Sequence, residues 1–296
     1  SGRLWRSGRC GYVRHAPRTM LIDVSGCVPF YNNKKTIISA LQSLANQSVQ
    51  LVEVFGLNDG STDGGEQVLE ANGFPCLHHP VNLGRGAARH RATMLAEGEI
   101  IVCCDATNVL PEDFVERLLP WFEDPKVAAV YGRIQDPNPT GVVARWRARH
   151  LFKAGHTMQV SLRAPLSTYG TMMRKSAVLD VGNFDPDLYH SEDTELGDRL
   201  LSKGYSIVFD PSVAVICNVE NSLVQVLERY WRWYAGVEEA ISFKSYFKNI
   251  VYSFKCMACQ DLKAGDPLSV SISLFCPHVQ FWTSVVRSLS RPNAFF

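Results

Sequence analysis

Three short stretches carry side chains whose types and spacing could do chemistry. The run Ile100-Ile-Val-Cys-Cys-Asp105 is apolar until it stops at one carboxylate, and Thr107 and Asn108 follow. A hard divalent cation takes oxygen ligands, and here one charged donor is followed only by neutral ones. Asn58-Asp59 opens a Gly-Ser-Thr turn. Asp59 could accept hydrogen bonds from a base or a ribose, or it could serve only as an Asx-type turn before the next helix. Glu192-Asp193 stands at the start of a helical stretch. A carboxylate there can take a proton from an attacking hydroxyl, or can simply stabilise the positive end of the helix.

These residues need elements to position them. From Leu21 to about Tyr131, short apolar runs alternate with stretches of helical periodicity. The runs are Leu21–Val28, Leu51–Leu57, Pro75–His79, Glu99–Cys104 and Val127–Tyr131. Buried parallel strands read as continuous apolar runs, and their alternation with helices implies a three-layer α/β sheet. Ligands bind such sheets beyond the carboxyl ends of the strands. Three of those ends carry polar turn formers: Tyr31-Asn32-Asn33, Asn58-Asp59 and Asp105 to Asn108. Further strands are expected at Ser167–Met173, Tyr205–Phe209 and Val213–Cys217, with a basic helix carrying Arg145, Arg147, Arg149 and Lys153.

Composition narrows the classes. The chain has 296 residues, 46% of them hydrophobic, enough for one or two domains. Thirty Lys and Arg against 29 Asp and Glu leave a net charge of +1, which gives no argument for a nucleic-acid partner. Nine cysteines, an odd number, with Cys103 and Cys104 inside an apolar run, argue against a disulfide framework and for a reducing compartment. Cys256, Cys259, Cys276 and His278 have a spacing worth testing for zinc, but their flanks are helical and aromatic and lack knuckle glycines. Residues 1–19 hold five arginines and no acid, and read as a disordered leader, a cloning remnant or an upstream-start artefact, with Met20 as the start. No apolar run approaches the ~20 residues that span a bilayer.

The ordered set Val28-Pro-Phe-Tyr-Asn32, Asn58-Asp-Gly-Ser-Thr-Asp63, Asn82-Leu-Gly-Arg-Gly-Ala-Ala-Arg89, Asp105-Ala-Thr107, Gly182-Asn-Phe-Asp185, Ser191-Glu-Asp193 and Arg229-Tyr-Trp-Arg-Trp233 resembles the family 2 inverting glycosyltransferases of GT-A fold. The resemblance covers about residues 22 to 240. It implies a Rossmann-like, mainly parallel sheet between helices, a nucleotide-diphosphate sugar donor, a divalent cation (Mn or Mg), and inversion at the anomeric carbon. It assigns Asp193 as general base, with Glu192 helping to place the acceptor. Pro29, Tyr31, Asn58, Asp59, Arg85 and Asp105 would meet the donor, with Asp105 also meeting the metal. Arg232 would clamp the diphosphate, and Trp233 would stack against the acceptor.

The sequence departs from the family pattern at three places. Asn58 stands where the family often has a first acid, Thr107 where it has a second carboxylate, and Arg229 where polymer-making members have Gln. The lone Asp105 leads to an expectation of weak metal binding that depends on the donor's phosphates. The departures also keep a non-catalytic nucleotide-sugar or glycan-binding relative as the alternative. A nicotinamide-binding reading fails, because Gly84-Arg-Gly86-Ala-Ala-Arg89 lacks the last small residue and does not follow the first strand.

The expected division is a catalytic domain over residues 20–218 and a helical, aromatic C-terminal region over 219–296. There Phe243, Tyr246, Phe247, Ile250, Val251 and Phe254 share a helical arc of roughly 140°, flanked by Lys244, Lys248 and Lys255. Such a helix either lies on a membrane surface or closes the domain with snorkelling lysines. The acceptor expected is a carbohydrate or a lipid-linked one, and the location cytoplasmic, peripheral on the membrane face.

Overall fold

The structure, a computed structural model, describes residues 22–235 and 241–290. The expected leader and Met20 lie outside the described residues. Strands β1 (Val24–Phe30), β2 (Glu53–Asp59), β3 (Cys76–His79) and β4 (Ile100–Cys104) alternate with helices α1 (Ile37–Ala45), α2 (Gly65–Ala71) and α3 (Arg85–Leu95). These are the apolar runs and periodic stretches of the sequence. Ile37, Ala40, Leu41 and Leu44 recur at one-turn spacing on α1 and are all fully buried.

The chain continues through β5 (Asn108–Val109), α4 (Phe114–Leu118), β6 (Val127–Gln135), α5 (Val142–His150), β7 (Gly170–Arg174), α6 (Lys175–Asp180), α7 (Glu192–Ser202) and β8 (Ser206–Cys217). One eight-stranded sheet results, in the order β3-β2-β1-β4-β7-β6-β8-β5. The first four strands are mutually parallel, β7 runs antiparallel between β4 and β6, and β8 is parallel to β6. The sheet is mainly parallel, and the carboxyl ends of β1, β2 and β4 lie side by side. One apolar core fills the α1 and α4 face and a second fills the α3, α6 and α7 face.

Two local differences from the sequence reading have physical causes. The strands expected at Tyr205–Phe209 and Val213–Cys217 are one strand, β8, broken in register against β6 between Gly132 and Arg133. Pro211 sits in that break; it lacks the N–H a ladder needs, so it is tolerated only at a bulge. Strand β5 has two residues, too few for any periodicity to reveal.

The C-terminal region contains α8 (Leu223–Ala235), α9 (Phe243–Tyr252), a π turn (Ser253–Ala258), α10 (Cys259–Lys263) and α11 (Pro267–Ser290). Its core draws in α5: Trp146, Leu151 and Phe152 pack with Val226, Tyr230, Met257 and Ile272. The arginines of α5 face inward as well as outward. Arg149, His150 and Ser273 converge on the fully buried Asp261, while Arg145 holds Asp266 at 2.9 Å. Buried charges survive only when paired and hydrogen-bonded in this way. Of the residues weighed for zinc, Cys276 is buried, Cys259 is exposed, and His278 bonds Tyr246 at 2.7 Å.

Helix α11 is inverted relative to a surface helix. Ser269, Ser273, Gln280 and Ser284 are buried, whereas Leu268, Phe275, Trp282 and Val286 are 57–66% exposed. Helix α9 has no buried residue; Tyr246 stacks on Phe281 at 4.4 Å, but Phe243, Phe247, Val251 and Phe254 are 51–71% exposed. Among the described residues no helix is long and apolar enough to cross a membrane.

Candidate active site

The strand ends, the start of α3, the start of α7 and the last turn of α8 enclose two adjoining cavities of about 870 and 770 Å³. Pro29, Tyr31, Asp59 and Thr107 line the first, and Glu192 and Asp193 line the second. Arg85, Arg89, Asp105, Arg232 and Trp233 line both. Residues separated by up to 204 positions in the chain thus share one cleft at the carboxyl edge of the sheet.

Close backbone approach places α3. The Gly86 amide donates to the Leu188 carbonyl at 2.9 Å. A Cβ at Gly86 would sit 2.1 Å from the Asp185 carbonyl oxygen, backbone that cannot yield. The pairing ties Gly84–Arg89 to the Gly182–Asp185 turn and so to the chain that leads into α7. Ser191, just before the two carboxylates, is held in the left-handed region with φ 61°. A serine there is strained, and such strain collects where surrounding structure fixes a functional segment.

Arg89 is the hub of the site. Its side chain is 4% exposed, one Nη donates to Asp105 Oδ1 at 2.7 Å, and the other contacts Glu192 Oε1. It joins the strand-end carboxylate to the acid beside Asp193. The sequence places Arg89 in a motif but assigns it no role. The signal was present: Arg89 lies on the Ala88–Ala92 face of α3, where a charge needs a buried partner.

Asp193 lines the second cavity, and its Oδ1 accepts the Thr194 amide at 2.8 Å. Burial, then the neighbouring Glu192 carboxylate, push its pKa up to about 6, against the opposing pull of Arg89. Glu192 itself is buried, with Oε2 lacking any partner among the described residues. Burial, then repulsion from Arg85, bring the Arg232 guanidinium down to about 10, so it remains charged at neutral pH.

Two residues expected at the donor are engaged within the protein. Asn58 is buried and does not line either cavity; its Nδ2 donates to Glu66 at 3.0 Å and its Oδ1 accepts from the Ser61 amide at 2.8 Å. It closes the turn. Asp59 does line the first cavity, but its carboxylate is already engaged. His79 lies 2.8 Å away, and the amides of Leu83 and Gly84 donate at 3.0 and 2.9 Å. It shapes the loop that presents Arg85.

For a divalent cation the donor set is thin. Asp105 brings the one carboxylate from β4, 40% exposed, with Oδ1 bound to Arg89. Asn108 adds a buried Oδ1 that has no partner among the described residues. No cluster of three or more His, Cys, Asp or Glu suited to a metal occurs among the described residues. These oxygens fit a cation that takes most of its shell from water and a bound phosphate.

Known proteins share this architecture. The chain is 25% identical over 222 residues to a poly-beta-1,6-N-acetyl-D-glucosamine synthase of Staphylococcus aureus, covering 71% of this chain and 53% of the relative. It is 23% identical over 229 residues to the synthase of the same name from Staphylococcus epidermidis, covering 74% and 55%. The chain spans about half the length of the curated relatives it matches. Among solved structures it is similar to the mannosyltransferase PcManGT from Pyrobaculum calidifontis in complex with GDP-Man and Mn2+, with TM-score 0.57, 18% identity, and coverage of 93% and 82%. It is also similar to S. aureus TarS 1-349, with TM-score 0.54, 17% identity, and coverage of 90% and 82%. These structures share the GT-A fold expected from the sequence. The glycosyl transferase family 2 model matches residues 25–182, more than half of the sequence, so the chain belongs to glycosyl transferase family 2.

Proposed function

We propose that this glycosyltransferase catalyses inverting transfer of a sugar from a nucleotide-diphosphate sugar to a hydroxyl of a carbohydrate or lipid-linked acceptor, with Asp193 as general base. The observation that carries the reading is the meeting of two cavities at Arg89 and Asp105, with Asp193 only on the second. A nucleotide in the first cavity, beside Pro29 and Tyr31, sends its diphosphate toward Arg85 and Arg232. Two guanidiniums favour an anion there. The anomeric carbon then lies at the junction. An acceptor hydroxyl in the second cavity attacks it from the face opposite the diphosphate, and Asp193 takes the hydroxyl proton. Trp233 supplies an apolar face for a sugar ring. When bound, a divalent cation would neutralise charge on the departing diphosphate, held by Asp105 and the neutral oxygens near it.

A donor screen by thermal shift tests this reading, because a ligand that binds the folded state raises apparent stability by mass action. The expected result is stabilisation by at least one nucleoside diphosphate or nucleotide sugar, larger with Mn2+ than without, and little shift from Mn2+ alone. A set of nucleotide sugars that leaves the melting temperature unmoved with Mn2+ present would contradict it. The non-catalytic alternative draws on Thr107, which replaces a second carboxylate. That alternative predicts donor binding with no turnover.

The exposed apolar faces of α9 and α11 support a membrane-surface role. Lys244, Lys248 and Lys255 border the α9 face, which suits an anionic interface. Cosedimentation with phosphatidylglycerol vesicles should fall when Phe247 and Trp282 are both changed to Ser, and binding of phosphatidylcholine vesicles should be weaker from the outset. Equal recovery of wild type and variant on anionic vesicles would exclude this face as the contact.

A further inference from the structure

The second cavity contains more positive charge than the transfer reaction requires. Arg85, Arg89 and Arg232 are accounted for by the diphosphate and by the carboxylates of Asp105 and Glu192. Arg133, Lys153 and Arg163 line the second cavity and not the first. Among the described residues neither Arg133 nor Arg163 has an ion-pair or side-chain hydrogen-bond partner. Lys153 has only a neutral one, its Nζ donating to the His150 carbonyl at 2.8 Å, with the Tyr234 ring 5.9 Å away. The acids on this cavity are Asp105 and Glu192, both bound to Arg89, and Asp193, the proposed base.

Local backbone geometry brings these cations to the second cavity. Arg133 follows Gly132, where the register of β6 against β8 breaks. Gly132 permits the close approach of β8: a Cβ there would lie 2.4 Å from the Val213 carbonyl oxygen. The chain around Arg163 is pinned to β8 by a bridge to Ile207. Lys153 is turned into the left-handed region with φ 55°, immediately after α5. Three separate segments therefore bring cations to one cavity, whose lining also includes the aromatic side chains of Phe152, Trp233 and Tyr234. Aromatic surface suits a sugar ring. A neutral saccharide, however, gives no partner to two guanidiniums that could each take an oxyanion in two parallel hydrogen bonds.

We propose that the acceptor is anionic, a saccharide or saccharide-lipid carrying phosphate or carboxylate, and that Arg133 and Arg163 bind that group while Asp193 faces the hydroxyl to be glycosylated. The assignment rests on the transferase reading of the same site and names the acceptor's chemical class. It makes Arg133 and Arg163 determinants of acceptor selection that do not touch the donor.

Matched probes test it. Saturation-transfer NMR would compare N-acetylglucosamine with N-acetylglucosamine 1-phosphate, glucose with glucuronate, and both anionic probes with farnesyl-diphosphate-linked N-acetylglucosamine, each with UDP and Mn2+ present. The expected result is at least tenfold tighter binding of the anionic member of a pair, lost in the Arg133→Gln, Arg163→Gln double variant. Both side chains are exposed, so the variant should keep the wild-type melting temperature. Preference for the farnesyl probe alone would assign the charge to a lipid-linked diphosphate; preference for the soluble phosphate or carboxylate would assign it to the saccharide. Equal binding of charged and neutral members by wild type, or a preference that survives in the variant, would overturn the assignment. So would parallel loss of nucleotide binding in the variant, since the cations would then serve the donor. Failure of wild type to bind any nucleotide would instead remove the transferase reading beneath it.

Discussion

Changing Asp193 to Asn should lower the transfer rate by roughly a hundredfold to ten-thousandfold, the usual contribution of a positioned general base, and should leave donor affinity within about twofold. The amide keeps the size and the Thr194 contact but cannot accept the hydroxyl proton. Because burial and Glu192 push the Asp193 pKa up to about 6, the wild-type rate should climb through an acidic limb near that pH. A carboxylate at its ordinary value would place the limb about two units lower. Stability should move in the opposite direction. The folded state holds the Asp193 proton more tightly than the unfolded chain, so its contribution to stability is present at low pH. That contribution is lost as pH rises through the folded pKa. Above pH 6 the variant should therefore melt at or above the wild-type temperature. Steady-state rates, donor titrations and melting curves across pH 4.5 to 8 read all three effects. A variant that turns over at the wild-type rate would remove Asp193 from the mechanism.

The second large effect is on stability. Arg89→Met should destabilise the protein by about 3–5 kcal/mol, the range for removing one partner of a buried ion pair. Glu192 is buried and would be left with an uncompensated charge next to Asp193. Asp105 would lose its hold on α3. Arg89→Lys should recover only part of the loss, because one ammonium cannot reach both carboxylates as a planar fork does. Urea denaturation of wild type and the two variants measures this. A loss below about 1 kcal/mol for the Met variant would mean that the bridge is not structural; surface pairs are worth that little.

The bridge also shows where the sequence was and was not readable. The parallel half of the sheet was legible because β1, β2 and β4 are largely buried and therefore mostly apolar until their carboxyl ends. From that topology alone the ends at Tyr31, Asp59 and Asp105 had to converge. The start of α7 and the end of α8 join them through contacts that span the chain, and only the ordered resemblance indicated those. Polar partnerships were the least legible. Asn58 turns toward Glu66 and Asp59 is taken up by His79 and two amides, choices made by the turn that follows each residue. Arg89 is one more basic residue in the sequence, and its partners lie 16 and 103 positions away. In α11 the buried face depended on α5 and α10, since Trp146 of α5 and Asp261 of α10 take up Ser273.

The most direct test of inverting transfer with Asp193 as base is the anomeric form of the first product. Proton NMR of wild type with an α-linked nucleotide sugar, recorded before mutarotation, reads it from the anomeric coupling. One in-line displacement assisted by Asp193 predicts the β anomer, formed on an acceptor or by slow hydrolysis, with signal absent in the Asp193→Asn variant. An α product formed at the same rate would contradict both a single displacement and Asp193 as its base.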